Sequence, residues 1–242
     1  MQNLRPPKMI MFDYGETIIH EDGFSGLLGT EAVLKSCVED SKGVSAEEMH
    51  ALVAQLNREI RKGEGYLNFD IEVHNHIFTN YLYDYFGMEL SVSKTELEWA
   101  FWQAAAPAVP VDGAADMLNF LKQAGIRSGV VSNISFSGET LKRRIDLLLP
   151  GHSFEFIIAS SEYIFRKPHP RIFELALKKS GLAPDEVWFA GDNVVWDVDG
   201  SAAAGMTPIW FKKHLRLCQD VPSADCIELY EWEQLVEVLK KL

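Results

Sequence analysis

Positive charge is scarce in this sequence. Its 242 residues carry 23 lysines and arginines against 35 acids, a net charge of −12. A nucleic-acid coat needs a basic surface to displace counterions, and this balance argues against one. Cysteine is scarcer still. Cys37, Cys218 and Cys226 cannot all pair within one chain, and none forms a Cys-x-x-Cys. That leaves a disulfide framework without its parts and fits a reducing, intracellular compartment. No apolar run approaches the ~20 residues needed to span a bilayer. The N-terminal "MQNLRPPKMIMF" has neither a long apolar stretch nor a small-residue cleavage site, so no secretory leader is read there. Glycine loops of the GxGxxG or GKT type are missing too, which leaves dinucleotide-fold and P-loop readings unsupported. The expectation is a cytoplasmic protein with no membrane and no nucleic-acid partner.

What is present is an ordinary globular composition, 47% hydrophobic and 24% charged, on a chain long enough for a core and a second, smaller unit. Met9 to Phe12 is apolar without alternation and predicts a short strand buried on both faces. From about Gly23 to Ala108 the spacing turns helical. "TEAVLKSCVED", "SAEEMHALVAQLNREIRK", "DIEVHNHIFTNYLYDYFG" and "SKTELEWAFWQAAA" each predict a helix, and Ser45 with Glu48 and Ser93 with Glu96 form capping-box signatures. "PAVPVDG" reads as a return linker. Beyond it, helices alternate with the strands "IRSGVVSN", "FEFIIAS", "EVWFAGDN", "TPIWF" and "DCIEL". That alternation predicts an α/β fold with a mainly parallel, Rossmann-like sheet covered on both faces. The boundaries expected are a core of residues 1–22 and 109–242 and a helical unit of residues 23–108.

Sheets of this kind bind ligands outside the carboxyl ends of their strands. At those ends the sequence places Asp13, then Ser132 and Asn133, then a loop "FRKP" with Lys167, then "GDNVVWDVDG" with Asp192, Asp197 and Asp199. Each has an ordinary alternative. Ser132 and Asn133 can turn the chain, Lys167 can be a solvated loop lysine, and the aspartates can cap a helix.

Together and in order, "FDYGET", "VVSN", "RKP" and "GDNVVWD" resemble the motifs of the haloacid dehalogenase superfamily of aspartate-nucleophile hydrolases. The resemblance runs from Met9 to Phe211, and the helical block lies where that family inserts its cap. It implies a Mg²⁺-dependent phosphatase acting on a small phosphorylated metabolite. By the same resemblance Asp13 is nucleophile and metal ligand, the Gly15 carbonyl is a second ligand, and Asp192 and Asp197 complete the metal set. Ser132, Asn133 and Lys167 bind phosphate, and Thr17 helps hold the nucleophile. The chemistry makes matching demands. A carboxylate attacking an anionic phosphoryl group needs positive charge nearby, and Mg²⁺ prefers oxygen ligands.

One position departs from the family's phosphatases, which usually carry a second aspartate where this chain has Gly15. That aspartate protonates the leaving group, assistance typically worth ~10²–10⁴-fold. Glu16, Tyr14, His20 or a residue of the helical block are the candidates to replace it. Other readings stay open: a dehalogenase, a phosphonate-cleaving enzyme using Lys35, Lys42, Lys62 or Lys94, or a non-catalytic phosphate-binding module. His74 and His76, two apart on an expected helix, point to different faces and make a poor metal pair. The aromatics Tyr81, Tyr83, Tyr85, Phe86, Trp99, Phe101 and Trp102 read as core or interface rather than substrate pocket.

Overall fold

A computed structural model describes residues 4–36, 38–62, 71–212 and 221–242. Cys37 and Cys218 lie outside these, and Cys226 forms no disulfide. Met9–Phe12 (β1) and Ile19–Glu21 (β2) come first, then Gly26–Ser36 (α1), Val38–Asp40 (β3), Ala46–Lys62 (α2), Asn75–Phe86 (α3), Glu89–Leu90 (β4) and Lys94–Ala105 (α4). Ala108–Pro110 (β5), Ala114–Gln123 (α5), Arg127–Ser132 (β6), Gly138–Leu148 (α6) and Phe154–Ala159 (β7) follow. Pro170–Ser180 (α7), Val187–Gly191 (β8), Gly200–Ala203 (α8), Thr207–Phe211 (β9), Ile227–Leu229 (β10) and Trp232–Lys240 (α9) complete the chain.

The main sheet has six strands in the order β10-β9-β8-β1-β6-β7, every neighbouring pair parallel. β1 lies between β6 and β8, with Phe12 opposite Val130 on one side and Ala190 on the other. All four of its residues are 0% exposed. Because successive side chains alternate, Ile10 and Phe12 join one hydrophobic cluster and Met9 and Met11 the other. The first packs with Leu118 and Leu121 of α5, Leu141 and Ile145 of α6 and Trp232 and Leu235 of α9. The second packs with Ile172, Phe173 and Ala176 of α7. A strand covered on both faces has no polar position, which is why "MIMF" shows no alternation.

The stretch between β2 and β5 departs from the expectation in three places. "PAVPVDG" is no simple linker: Ala108–Pro110 pairs antiparallel with β2, Ile19 opposite Pro110. Proline is tolerated there because the ribbon has only two strands and a free edge. A second ribbon, β3 with β4, interrupts the helices. The third helix begins only at Asn75, capped by the His74 side chain, and ends at Gly87, whose φ of +63° suits glycine. Residues 71–74 are instead an extended strap. The helices share their own cluster of Val33, Met49, Tyr83, Met88 and Leu97. The Ser45–Glu48 capping box is reciprocal, at 2.9 and 3.2 Å. At α4 only Ser93 caps, because the Glu96 carboxylate reaches Arg143 of α6 at 2.8 Å.

Of the aromatics, Tyr83 is buried in the helical cluster and Trp102 at the junction with the sheet. Trp102 stacks on Phe136 at 4.3 Å and donates its Nε1–H to Glu21. Tyr81 and Tyr85 are exposed and stack on each other.

Candidate active site

The carboxyl edge of the sheet gathers the four sequence motifs. Asp13 extends β1 by one residue, its N–H donating to the Ala190 carbonyl at 2.8 Å. The chain then folds sharply back, with Ile18 and Ile19 both donating to the Tyr14 carbonyl. Lys167 arrives from the loop between β7 and α7 and is 1% exposed. Its Nζ lies 2.6 Å from Asp13 Oδ1 and 2.6 Å from Asp197 Oδ1. Burial pulls the lysine pKa down, but the charges of Asp13 and Asp197 outweigh it and hold the ammonium above its ordinary value. For Asp197 burial, joined by the charge of Asp13, prevails over the pull of Lys167 and pushes its carboxyl up to about 6.

Asp197 sits in a π-helical turn, Val194–Asp199, and its Oδ2 accepts the Asn193 N–H at 3.0 Å. It packs directly over β8. A Cβ on Gly191 would lie 2.3 Å from Asp197 Cγ, so only glycine leaves room for this acid. Asp192 follows that glycine, and its carbonyl accepts the Trp210 Nε1–H at 3.1 Å. Asp13, Asp192 and Asp197 each offer an oxygen, all within 4.8 Å of one another. Three carboxylates around one ammonium leave an excess of negative charge, and the all-oxygen donor set suits a hard divalent cation. The residues present therefore fit a metal.

Ser132 ends β6 beside β1 and is 3% exposed. The next side chain is otherwise engaged. Asn133 Oδ1 accepts the Lys167 N–H at 2.7 Å and its Nδ2 donates to the Lys167 carbonyl at 2.8 Å. Both polar ends of the amide thus grip the lysine's backbone.

A profile of the haloacid dehalogenase-like hydrolases matches residues 7–205, most of the chain. The chain belongs to this family. Among curated proteins it is 29% identical over 212 residues to the glyceraldehyde 3-phosphate phosphatase of Methanothermobacter thermautotrophicus, covering 86% of this chain and 87% of that one. It is 24% identical to the enzyme of that name from Methanocaldococcus jannaschii, over 97% and 98% of the two chains. A crystal structure of a HAD phosphatase from Thermococcus onnurineus shares the fold at a TM-score of 0.61 and 21% identity, covering 96% of this chain and 97% of that one. So does the 2-haloacid dehalogenase of Pseudomonas syringae, at 0.63 and 19%, over 97% and 99%.

In this haloacid dehalogenase-like hydrolase the loop after β1 has several distinctive features. A Cβ on Gly15 would meet nothing within 4 Å, so the position is open. Glu16 adopts a φ of +55°, uncommon for a residue with a side chain. Its carboxylate bonds His20 Nδ1 at 2.8 Å. Tyr14 faces away, accepting from Arg144 Nε at 2.9 Å, and burial raises its pKa far above that of an ordinary phenol. Its hydroxyl is engaged with Arg144 and Glu21 and not with Asp13. Thr17 is 0% exposed and its hydroxyl has no hydrogen-bond partner among the described residues, so no bond from it holds Asp13.

Lys35, Lys42 and Lys94 are exposed, and the Lys62 side chain lies outside the described residues. The histidine pair differs from expectation because His74 is a cap, not a helical residue. The two rings lie 4.7 Å apart and face Glu162 and Glu98 at 3.5 and 3.6 Å. Among the described residues, the Asp13 set alone has converging ligand atoms. No helix among these residues is long and apolar enough to cross a membrane. Sequence reasoning did not foresee the Asn133 grip or the need for Gly191. The grip joins residues 34 apart and leaves no local signal. The glycine before Asp192 was visible.

Proposed function

We propose that this hydrolase is a Mg²⁺-dependent phosphatase of a small phosphorylated metabolite, working through Asp13. The observation that carries the reading is the Lys167 ammonium, held 2.6 Å from Asp13 and from Asp197 beside Asp192. It sets a nucleophile, a cation and a metal-binding donor set within one crevice.

In the first step an Asp13 oxygen attacks phosphorus, and the bond to the substrate's oxygen breaks with its electron pair staying on that oxygen, which takes a proton to become the alcohol. In the second, water attacks the aspartyl-phosphate at phosphorus, releasing inorganic phosphate and restoring Asp13. Ser132 donates its hydroxyl to a phosphoryl oxygen, and Lys167 offsets charge on the attacking and transferring oxygens. Asp13, Asp192, Asp197 and the Gly15 carbonyl would hold Mg²⁺, which when bound neutralises the phosphoryl charge. Residues 23–108 act as a cap over a core of residues 1–22 and 109–242, excluding water and selecting substrate.

Gly15 offers no side chain to protonate the leaving group. The proposed substrates therefore have leaving groups that need little protonation, or the substrate and cap supply the proton. The acidic cluster weighs against a haloacid, whose carboxylate it would repel. The exposure of Lys35, Lys42 and Lys94 weighs against Schiff-base chemistry on any of them, since that role calls for a desolvated amine. A cytoplasmic location fits such a metabolite.

The test is phosphate release from a panel of phosphorylated metabolites with and without Mg²⁺. Glyceraldehyde 3-phosphate leads the panel because the relatives bear that name. Metal-dependent release that disappears in Asp13→Asn supports the reading. No release across the panel, or full activity in Asp13→Asn, overturns it.

A further inference from the structure

The loop that carries Lys167 is gripped from two sides. On one side is Asn133, just beyond β6, the sheet neighbour of the loop's own strand. On the other is the extended strap that leads into α3. Ile71 forms an antiparallel bridge with Phe165, and the Glu72 N–H donates to the Ile164 carbonyl at 2.6 Å. The Glu72 carboxylate, 10% exposed, accepts the Ser160 hydroxyl at 2.9 Å and lies 3.4 Å from Arg166 Nη1. Asn75 N–H donates to the Ser135 carbonyl at 2.8 Å, two residues beyond Asn133. The strap therefore holds Ile164, Phe165 and Arg166, the three residues just before Lys167, and also the loop after β6.

Two further observations give the contact a purpose. Ile164 has a φ of +68°, a left-handed conformation that a β-branched residue adopts only under constraint. Its carbonyl is the one the strap binds. Arg166 in turn lies 5.5 Å from the Trp196 ring, next to Asp197. The strap thus stabilises a strained loop whose next residues set the ammonium and adjoin the acid opposite it. The Asn133 grip lies within the sheet domain, whereas the strap belongs to the inserted helices and grips only while they are docked.

We propose that docking of the strap through Glu72 sets the position of Lys167, making Glu72 a positioning residue that couples seating of the helical unit to assembly of the anion site. This rests on the phosphatase reading for its functional meaning. The sign of the effect separates it from simple electrostatics. Removing a carboxylate near an anion site should tighten phosphate through Coulomb's law. Loss of a positioning contact should weaken it.

The experiment measures inorganic phosphate affinity, with Mg²⁺ present, for the native chain, Glu72→Ala, Lys167→Met and the double variant. Exchange of the Lys167 amide hydrogen is followed in the native chain and Glu72→Ala. Glu72→Ala should weaken phosphate about tenfold, the scale of a modest misplacement. In the Lys167→Met background the further loss should be less than about twofold, because Glu72 then has no ammonium to place. The Lys167 amide, bonded to Asn133, should exchange faster. If Glu72→Ala does not fold, Glu72→Gln carries the same comparison, losing the Arg166 pair but keeping an acceptor for Ser160. Tighter or unchanged phosphate affinity, or equal loss in both backgrounds, overturns the proposal. A native chain that binds no phosphate defeats the phosphatase reading instead. The amide exchange then decides the coupling by itself: faster exchange supports it and unchanged exchange overturns it.

Discussion

Asp197 and Glu98 are both carboxylates shut away from water, 2% and 0% exposed, and the protein satisfies them by different means. Asp197 meets a cation, Lys167, and two further aspartates, so its surroundings remain too acidic for their single ammonium. Glu98, on α4, meets hydrogen-bond donors. It accepts from the Ser137 N–H at 3.0 Å, the Ser137 hydroxyl and Asn75 Nδ2 at 3.0 Å. Ser137 caps α6, so the carboxylate also faces the positive end of that helix. One acid is left wanting positive charge, which suits the proposed metal site. The other is matched by its surroundings and joins the inserted helices to the sheet domain.

That contrast can be broken in order of severity. Asp13→Asn keeps an oxygen for Lys167 but removes the proposed nucleophile, and should lower phosphate release by about 10⁴-fold or more at unchanged thermal stability. Gly15→Asp should act in the opposite direction. The space there is open, and an acid beside the leaving group should raise turnover of poor leaving groups by about 10²-fold while changing activated esters little. A set of esters of graded leaving-group pKa reads the difference. At the seam, Glu98→Ala strands buried donors and should cost about 3 kcal/mol of stability by urea denaturation. Glu98→Gln, which keeps an acceptor, should cost about 1 kcal/mol. A Glu98 variant that lost turnover per folded molecule as severely as Asp13→Asn would erase the distinction between the two regions.

The sheet and its edge were legible because the strands carry short apolar runs, and those of β1, β6 and β8 give way to polar residues at their carboxyl ends. Asp13, Ser132, Lys167 and the Asp192–Asp197 turn could be placed in order from that rhythm alone. The ribbon of β2 and β5 was not legible. Its strands are three residues long, and Pro107 and Pro110 look like loop punctuation. The strap was hidden for another reason. Helical spacing continues unbroken through "DIEVHNHIFTNY", but the tertiary bonds of Ile71, Glu72 and Asn75 hold residues 71–74 extended until His74 caps the helix. Asn133 was legible as a site residue, but its partner was not. Its amide reaches a backbone 34 residues away, and sequence spacing carries no trace of such a contact.

The central place of β1 has a consequence for the order in which the molecule is built. This strand leaves the ribosome before either of its partners, Arg127–Ser132 and Val187–Gly191. Between them come the inserted helices, whose cluster draws on residues 33 to 97, all made before the first partner strand. During synthesis the helices can therefore collapse on near neighbours while four apolar residues wait with no sheet to enter. The pair Asp13 and Lys167, 154 residues apart, likewise cannot form until the chain has grown well past the helices. A nascent chain arrested at residue 126 should show protected helices and a protease-sensitive "MIMF", which the full-length chain then buries.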